Sequence, residues 1–294
     1  MLHIATVHWK SDRWVDIQLR YLQAHIRQPF KVYAFLNDVP GHHRSKYFYS
    51  STEAIGWHPI KLNLLADMAV LHSTDPDDLL MFIDGDAFPV GDVMSFALDK
   101  LREYPLVAIQ RLENAGDRQP HPCFCLTTVG FWKQIEGDWK SGYRWKNRYG
   151  TLVTDVGANL LKKLEDRKVQ WYPMVRSNRR NLHPVFFGLY ADLIYHHGAG
   201  FREPASRSDL FDRLSLVSVT RATLRLVNLG LARRVYDKML TKDARHRERV
   251  EMSQRVFDSI QQDPDFYRFF QEPEATSLPD DPRSRSESQS TQSS

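Results

Sequence analysis

The sequence predicts an α/β fold in which a mainly parallel β-sheet is flanked by helices. Short β-rich runs alternate with helix-like patterns through residues 1–203, as βαβ units require. Several of these runs are apolar throughout instead of at every second position, which indicates strands buried on both faces of the sheet. After Pro204 the strand pattern stops, so we expect the sheet to be complete at that point.

The individual elements follow from the hydrophobic spacing. Residues 2–9 predict a buried strand, and Ser11 can cap the helix that follows it. The other strands are predicted over 30–36, 57–62, 79–83, 106–110, 124–129, 169–172 and 191–195. The other helices are predicted over 64–71, 91–104 and 156–164, with a further one starting at 131.

The chain divides into three predicted regions: an α/β domain over 1–203, a helical C-terminal extension over 204–272, and a tail over 273–294. The tail has almost no apolar residues and is expected to be disordered. Within 202–249, twelve Lys or Arg residues stand against six Asp or Glu. We favour a helical cap with a solvated basic face, and the alternative is peripheral contact with an anionic membrane.

Composition narrows the class of protein. The net charge of +4 is mild, so no nucleic-acid partner is expected. The sequence has two cysteines, Cys123 and Cys125, and no disulfide between them is expected. The chain starts with a β-rich run, and no stretch has the roughly 18 apolar residues of a membrane span. These features favour a cytoplasmic protein, with peripheral membrane association as the alternative.

The segment Asp84-Gly85-Asp86 carries the clearest chemistry. It follows an apolar strand, at the edge of an open α/β sheet where ligands bind. The two carboxylates lie on the same side of an extended chain and repel each other unless a cation shares the site. Mn²⁺ or Mg²⁺, held by carboxylates and substrate phosphates, would satisfy them. The alternative interpretation is a turn with two solvated acids.

The position of this motif resembles that of the GT-A-fold glycosyltransferases, and the resemblance covers roughly residues 1–203. It implies a Rossmann-like GT-A domain in which Asp84 and Asp86 hold the metal on the diphosphate of a nucleotide sugar, with Asp84 also able to contact the ribose. It further implies transfer of a hexose to a hydroxyl of a glycan or lipid-linked glycan, as in polysaccharide biosynthesis. By the same resemblance, Thr6, Val7 and His8 would contact the nucleotide, although they could equally be an ordinary strand end.

The run from His196 to Arg202 adds a second part to this resemblance. In glycogenin-like and lipopolysaccharide-galactosyltransferase-like members, a histidine at the end of a late strand completes the metal shell. Here either His196 or His197 could do so, and the spacing to Gly200 favours His197. Arg202 would then bind the diphosphate, since guanidinium groups bind phosphate oxygens in pairs.

Asp155 is the candidate catalytic residue. In GT-A enzymes an acid at this point faces the acceptor, where it acts as a general base or positions a substrate. The alternative is a helix N-cap, for which Thr154 or Asp155 is suited. Only one acid stands here, so retention and inversion both stay open. Trp132, Trp139 and Trp145 could stack on sugar rings or belong to the core.

Two other functions fit parts of the pattern. A haloacid-dehalogenase-like phosphatase also uses Asp-x-Asp, but it carries the motif on its first strand with Thr or Val following. Here the motif comes after several elements and is followed by Ala87-Phe88-Pro89. A non-catalytic nucleotide- or carbohydrate-binding relative would use the same residues as the enzyme.

Overall fold

A computed structural model describes residues 1–198, 201 and 247–273. Its main sheet has seven strands, and most neighbouring strands pair in parallel. In the order in which they lie across the sheet, the strands are β10 (Tyr172–Met174), β6 (Leu106–Ile109), β7 (His121–Thr128), β4 (Leu79–Asp84), β1 (Leu2–Trp9), β2 (Phe30–Asn37) and β3 (Tyr49–Ser51). Only β7 runs antiparallel to its neighbours, β4 and β6. The predicted α/β class with a mainly parallel sheet is confirmed.

Helices cover both faces of this sheet. The helices are α1 (Val15–His25), α2 (His58–His72), α3 (Val93–Lys100), α4 (Val129–Gln134) and α5 (Ala158–Asp166), and a 3₁₀ turn occupies Gly41–Lys46. Side chains of α1 and α3 pack with Ile4 and Ala34 on one face, while α2, α4 and α5 pack with Ala5 and Tyr33 on the other. Because neighbouring strand residues point to opposite faces, β1 is buried on both sides.

A smaller antiparallel sheet completes the described fold. It consists of β5 (Ala87–Pro89), β12 (Ile194–His196) and β11 (Gly188–Tyr190), while β8 (Trp145–Lys146) and β9 (Leu152–Val153) form a separate hairpin. A helix at 247–262 and a short one at Arg268–Gln271 pack on this small sheet and on α1. None of the helices within the described ranges is both long and apolar enough to cross a bilayer.

Some local predictions were wrong. Residues 57–62 do not form a strand, because α2 begins at His58 with Pro59 in its first turn, a favourable helix position. The strand next to β2 is instead Tyr49–Ser51. Trp132, Trp139 and Trp145 are all buried in apolar clusters, so they belong to the core. Both cysteines are free, as expected.

The three-region division stays a prediction. Residues 202–246 and 274–294 lie outside the described part of the chain, which includes nearly all of the basic segment and of the tail.

A candidate metal site at the carboxyl edge of the sheet

Asp84, Asp86 and His196 come together at the carboxyl end of β4. The His196 Nε2 atom is 3.4 Å from Oδ1 of Asp86 and 3.7 Å from Oδ2 of Asp84. One ligand atom from each residue lies within 4.8 Å of the other two, which is close enough for one ion to touch all three. Two carboxylates and a neutral imidazole are a ligand set that suits Mn²⁺ well and Mg²⁺ less well.

The pairing of β5 with β12 builds this cluster. Asp84 ends β4, the chain turns through Gly85 and Asp86, and β5 then pairs antiparallel with β12 so that Ala87 stands opposite His196. This register places His196 beside the turn although it lies more than a hundred residues further along the chain. Strand alternation sends the next side chain, that of His197, to the other face.

The structure therefore places His196, and not the favoured His197, beside the carboxylates. The His197 ring is enclosed by Trp14, Phe187 and Phe201, with ring centroids 4.7, 4.9 and 5.1 Å away. Its Nδ1 atom is 3.1 Å from the Tyr195 hydroxyl, and burial lowers the pKa of His197 to about 3. A buried, neutral His197 supports the aromatic cluster and faces away from the carboxylate pair.

The electrostatics of Asp84 fit a cation site. Burial alone would raise the pKa of Asp84, but the neighbouring His58 and, more weakly, His121 and His196 hold it below its ordinary value. His58 Nε2 lies 3.4 Å from Asp84 Oδ1, and this buried oxygen has no hydrogen-bond partner in the described structure. A buried carboxylate that stays ionised with an unpartnered oxygen is suited to binding a cation.

The three residues at the end of β1 have different surroundings. The Thr6 hydroxyl donates to Oε1 of Gln18 at 3.0 Å, and Val7 packs in the core. His8 is almost fully buried, which lowers its pKa to about 4, and it adjoins Gly85. Of the three side chains, His8 is therefore the one that borders the Asp-Gly-Asp turn.

Asp155 is not part of the Asp84, Asp86 and His196 group in the described residues. It precedes α5, whose N-cap residue is Gly157 and has no side-chain cap, so the alternative of a capping Thr154 or Asp155 is not what the structure shows. Burial, together with the negative charge of the nearby Asp155, raises the pKa of Asp117 to about 6. Arg202, the predicted diphosphate contact, lies outside the described residues.

A further polar group at this edge was missed in the sequence. Arg111 and Glu113 follow β6, and their Nε and Oε1 atoms are 3.7 Å apart. Tyr190 donates to the same Glu113 oxygen at 2.6 Å, and the His121 ring is 6.3 Å from that of His196. Polar residues directly after the strand predicted over 106–110 could have indicated this group. The sequence around that strand does not show, however, that it lies near β4.

Comparison with known proteins gives only distant matches. No family model and no curated protein matches the chain. Two structures of the glycosyltransferase GlyE from Streptococcus pneumoniae TIGR4 are 16% and 14% identical and align to 46% and 58% of this chain, with TM-scores of 0.33 and 0.37. This chain spans only 36% and 44% of their lengths. The mannosyltransferase PcManGT from Pyrobaculum calidifontis, solved with GDP-Man and Mn²⁺, is 10% identical over 89% of this chain and 75% of its own, with a TM-score of 0.42.

A third match is the galactosyltransferase LgtC, 9% identical over 60% of this chain and 74% of its own, with a TM-score of 0.36. All of these structures are glycosyltransferases.

Proposed function

We propose that this protein is a metal-dependent glycosyltransferase that moves a hexose from a nucleoside diphosphate sugar to a hydroxyl of a glycan or lipid-linked glycan. The observation that carries the proposal is the convergence of Asp84, Asp86 and His196 at the carboxyl edge of a mainly parallel sheet. Ligands of open α/β sheets bind at this edge. A place in polysaccharide biosynthesis and a cytoplasmic location belong to the same proposal.

Different residues of the chain would bind the metal, the nucleoside and the diphosphate of the donor. Asp84, Asp86 and His196 would hold Mn²⁺ or Mg²⁺, which when bound neutralises charge on the leaving diphosphate. His8 borders the turn on the side of β1, and it would contact the nucleoside part together with Thr6 and Val7. Arg202 would bind the diphosphate as a guanidinium clamp.

The acceptor would bind on the side of Asp155. As a general base, Asp155 would take the proton of the attacking hydroxyl; in a retaining transfer it would position a substrate instead. Asp117 is a second candidate for the base, because a carboxyl with a pKa of about 6 matches the pH at which it must accept a proton.

A donor screen tests the proposal directly. Purified protein is incubated with uridine, guanosine and other nucleoside diphosphate sugars, with Mn²⁺ or with a chelator, and with a panel of sugar acceptors. We expect Mn²⁺-dependent transfer or hydrolysis of one donor, which is lost in Asp86→Asn and kept in the matched control Asp99→Asn, an exposed carboxylate on α3. Turnover that needs no metal and is unaffected by Asp86→Asn would contradict the proposal.

The same screen, extended to simple phosphomonoesters, separates the two alternatives. Release of phosphate from simple phosphomonoesters, lost in Asp84→Asn, would indicate a phosphatase, although the motif lies on β4 and not on the first strand. Tight metal-dependent nucleotide binding without turnover over the acceptor panel would indicate a non-catalytic binding protein.

A further inference from the structure

We infer that Gln18 is a positioning residue, which holds the turn from Asp84 to Ala87 in the shape that aims both carboxylates at one point. The inference concerns the site of the proposed function and rests on it for the role of the carboxylates. Gln18 lies on α1, far from the motif in sequence, and is completely buried.

The Gln18 amide bridges both ends of the turn. Its Nε2 group donates to the carbonyl oxygen of Asp84 at 2.7 Å and to that of Ala87 at 2.8 Å. These two oxygens flank Gly85 and Asp86, so one side chain fixes both ends of the segment. Both protons of the amide are used in this way.

Thr6 fixes the orientation of this amide. The Thr6 hydroxyl donates to Gln18 Oε1 at 3.0 Å, while both contacts on the other side are carbonyl oxygens and can only accept. A flipped amide would set its oxygen against two carbonyls, so the network allows one orientation. Thr6, which we propose as a nucleotide contact, thus also orients Gln18.

Two further contacts hold the turn between the points that Gln18 fixes. The backbone N–H of His197 donates to the Asp86 carbonyl at 3.0 Å. Gly85 lies so close to β1 that an added Cβ would be 2.5 Å from the Val7 carbonyl. The carbonyls of Asp84, Asp86 and Ala87 therefore each have a donor outside the turn.

The helix that carries Gln18 is itself fixed from its other side. The Tyr21 hydroxyl donates to the Pro264 carbonyl at 3.2 Å, and Arg20 donates to the Ile260 carbonyl at 3.1 Å. The Trp14 ring meets Phe257 edge-on at 5.0 Å. Because the C-terminal helices hold α1 in this way, Gln18 acts as a rigid support for the turn. Partners that orient metal ligands typically change metal affinity about 10- to 100-fold when they are removed.

The test compares Gln18→Met with Thr127→Val. Both changes remove a fully buried donor to backbone carbonyls, but Thr127 donates to Pro105 at the opposite end of the sheet. Mn²⁺ affinity is measured from the paramagnetic resonance signal of the free ion, and local opening from hydrogen exchange of peptides that cover residues 81–90. We expect Gln18→Met to weaken Mn²⁺ binding about tenfold or more and to speed exchange in 84–87, and Thr127→Val to change neither.

Thr6→Val provides a second variant in case Gln18→Met does not fold, since it keeps the amide but removes what orients it. It should weaken Mn²⁺ binding by a smaller factor and speed exchange in the same segment. Exchange over 84–87 and Mn²⁺ affinity that stay at wild-type values in both variants would overturn the positioning role. If the wild type binds no Mn²⁺ while Gln18→Met still speeds exchange only in 84–87, the proposed function fails and the positioning role stands.

Discussion

Gly85 separates the two carboxylates of the site and has no room for a side chain. In Gly85→Ala the new Cβ would lie 2.5 Å from the Val7 carbonyl oxygen and 2.8 Å from His8 Nδ1. The first distance is about half an ångström too short, and the atom it involves is backbone of β1, paired at Val7 with Asp84 of β4. The turn must therefore move away from β1. Overpacking of this kind costs about 1–3 kcal/mol.

The displacement should appear in both stability and metal binding. We expect Gly85→Ala to lower the melting temperature by about 3–9 °C and to weaken Mn²⁺ binding about tenfold or more, since each ~1.4 kcal/mol is a factor of ten. The measurements are thermal unfolding by circular dichroism and Mn²⁺ titration followed by paramagnetic resonance. Gly41→Ala is the matched control, because an added Cβ there meets nothing within 4 Å. Wild-type stability and affinity in Gly85→Ala would refute the tight packing of the turn against β1.

Three further predictions follow from the site and its supports. His196→Asn should weaken Mn²⁺ binding more than it lowers the melting temperature, and His197→Asn should do the reverse, since only His196 faces the carboxylates; equal effects on Mn²⁺ would contradict this. Burial raises the pKa of Asp117 from 3.8 to about 6, so the folded state holds this proton more tightly and stability is lost as the pH rises between these values. Asp117→Asn should then raise the free energy of unfolding, measured in urea at pH 7.5, by up to about 3 kcal/mol, because one pKa unit corresponds to about 1.36 kcal/mol. At pH 3 the variant should gain no stability, and a lower free energy of unfolding than the wild type at pH 7.5 would refute the prediction. Ile260→Ala, at a fully buried position of the 247–262 helix, should lower the free energy of unfolding by about 2–5 kcal/mol, and a loss well under 1 kcal/mol would show that this helix does not support α1.

The carboxylate pair was predictable because its signal is local. The apolar strand over 79–83 ends directly before Asp84, and alternation along an extended chain predicts Asp84 and Asp86 on one side. In the structure, the turn through Gly85 and Asp86 brings the two carboxylates together. The strand predicted over 57–62 was wrong for a local reason, because the apolar residues at 60 and 62 fit a strand as well as a helix. The first-turn Pro59 and the apolar positions that continue to Ala69 make it a helix in the structure.

The choice between His196 and His197 could not be made locally. It depends on the register of β12 against β5, and a shift of one residue would exchange the two side chains between faces. Arg111, His121 and Gln18 were missed for a similar reason. The order β6-β7-β4 in the sheet brings Arg111 and His121 to this edge, and the packing of α1 on β5 brings Gln18 to the Asp84 carbonyl. The residues next to them in the sequence indicate neither arrangement.

The central claim is that Asp84, Asp86 and His196 hold a divalent cation for a nucleoside diphosphate. The most direct measurement is a Mn²⁺ titration of wild type and Asp86→Asn, followed by paramagnetic resonance with and without uridine and guanosine diphosphate. We predict a single Mn²⁺ site in the wild type, tightened by one of the nucleotides and abolished by Asp86→Asn. Equal Mn²⁺ binding by both proteins, unaffected by either nucleotide, would contradict the claim.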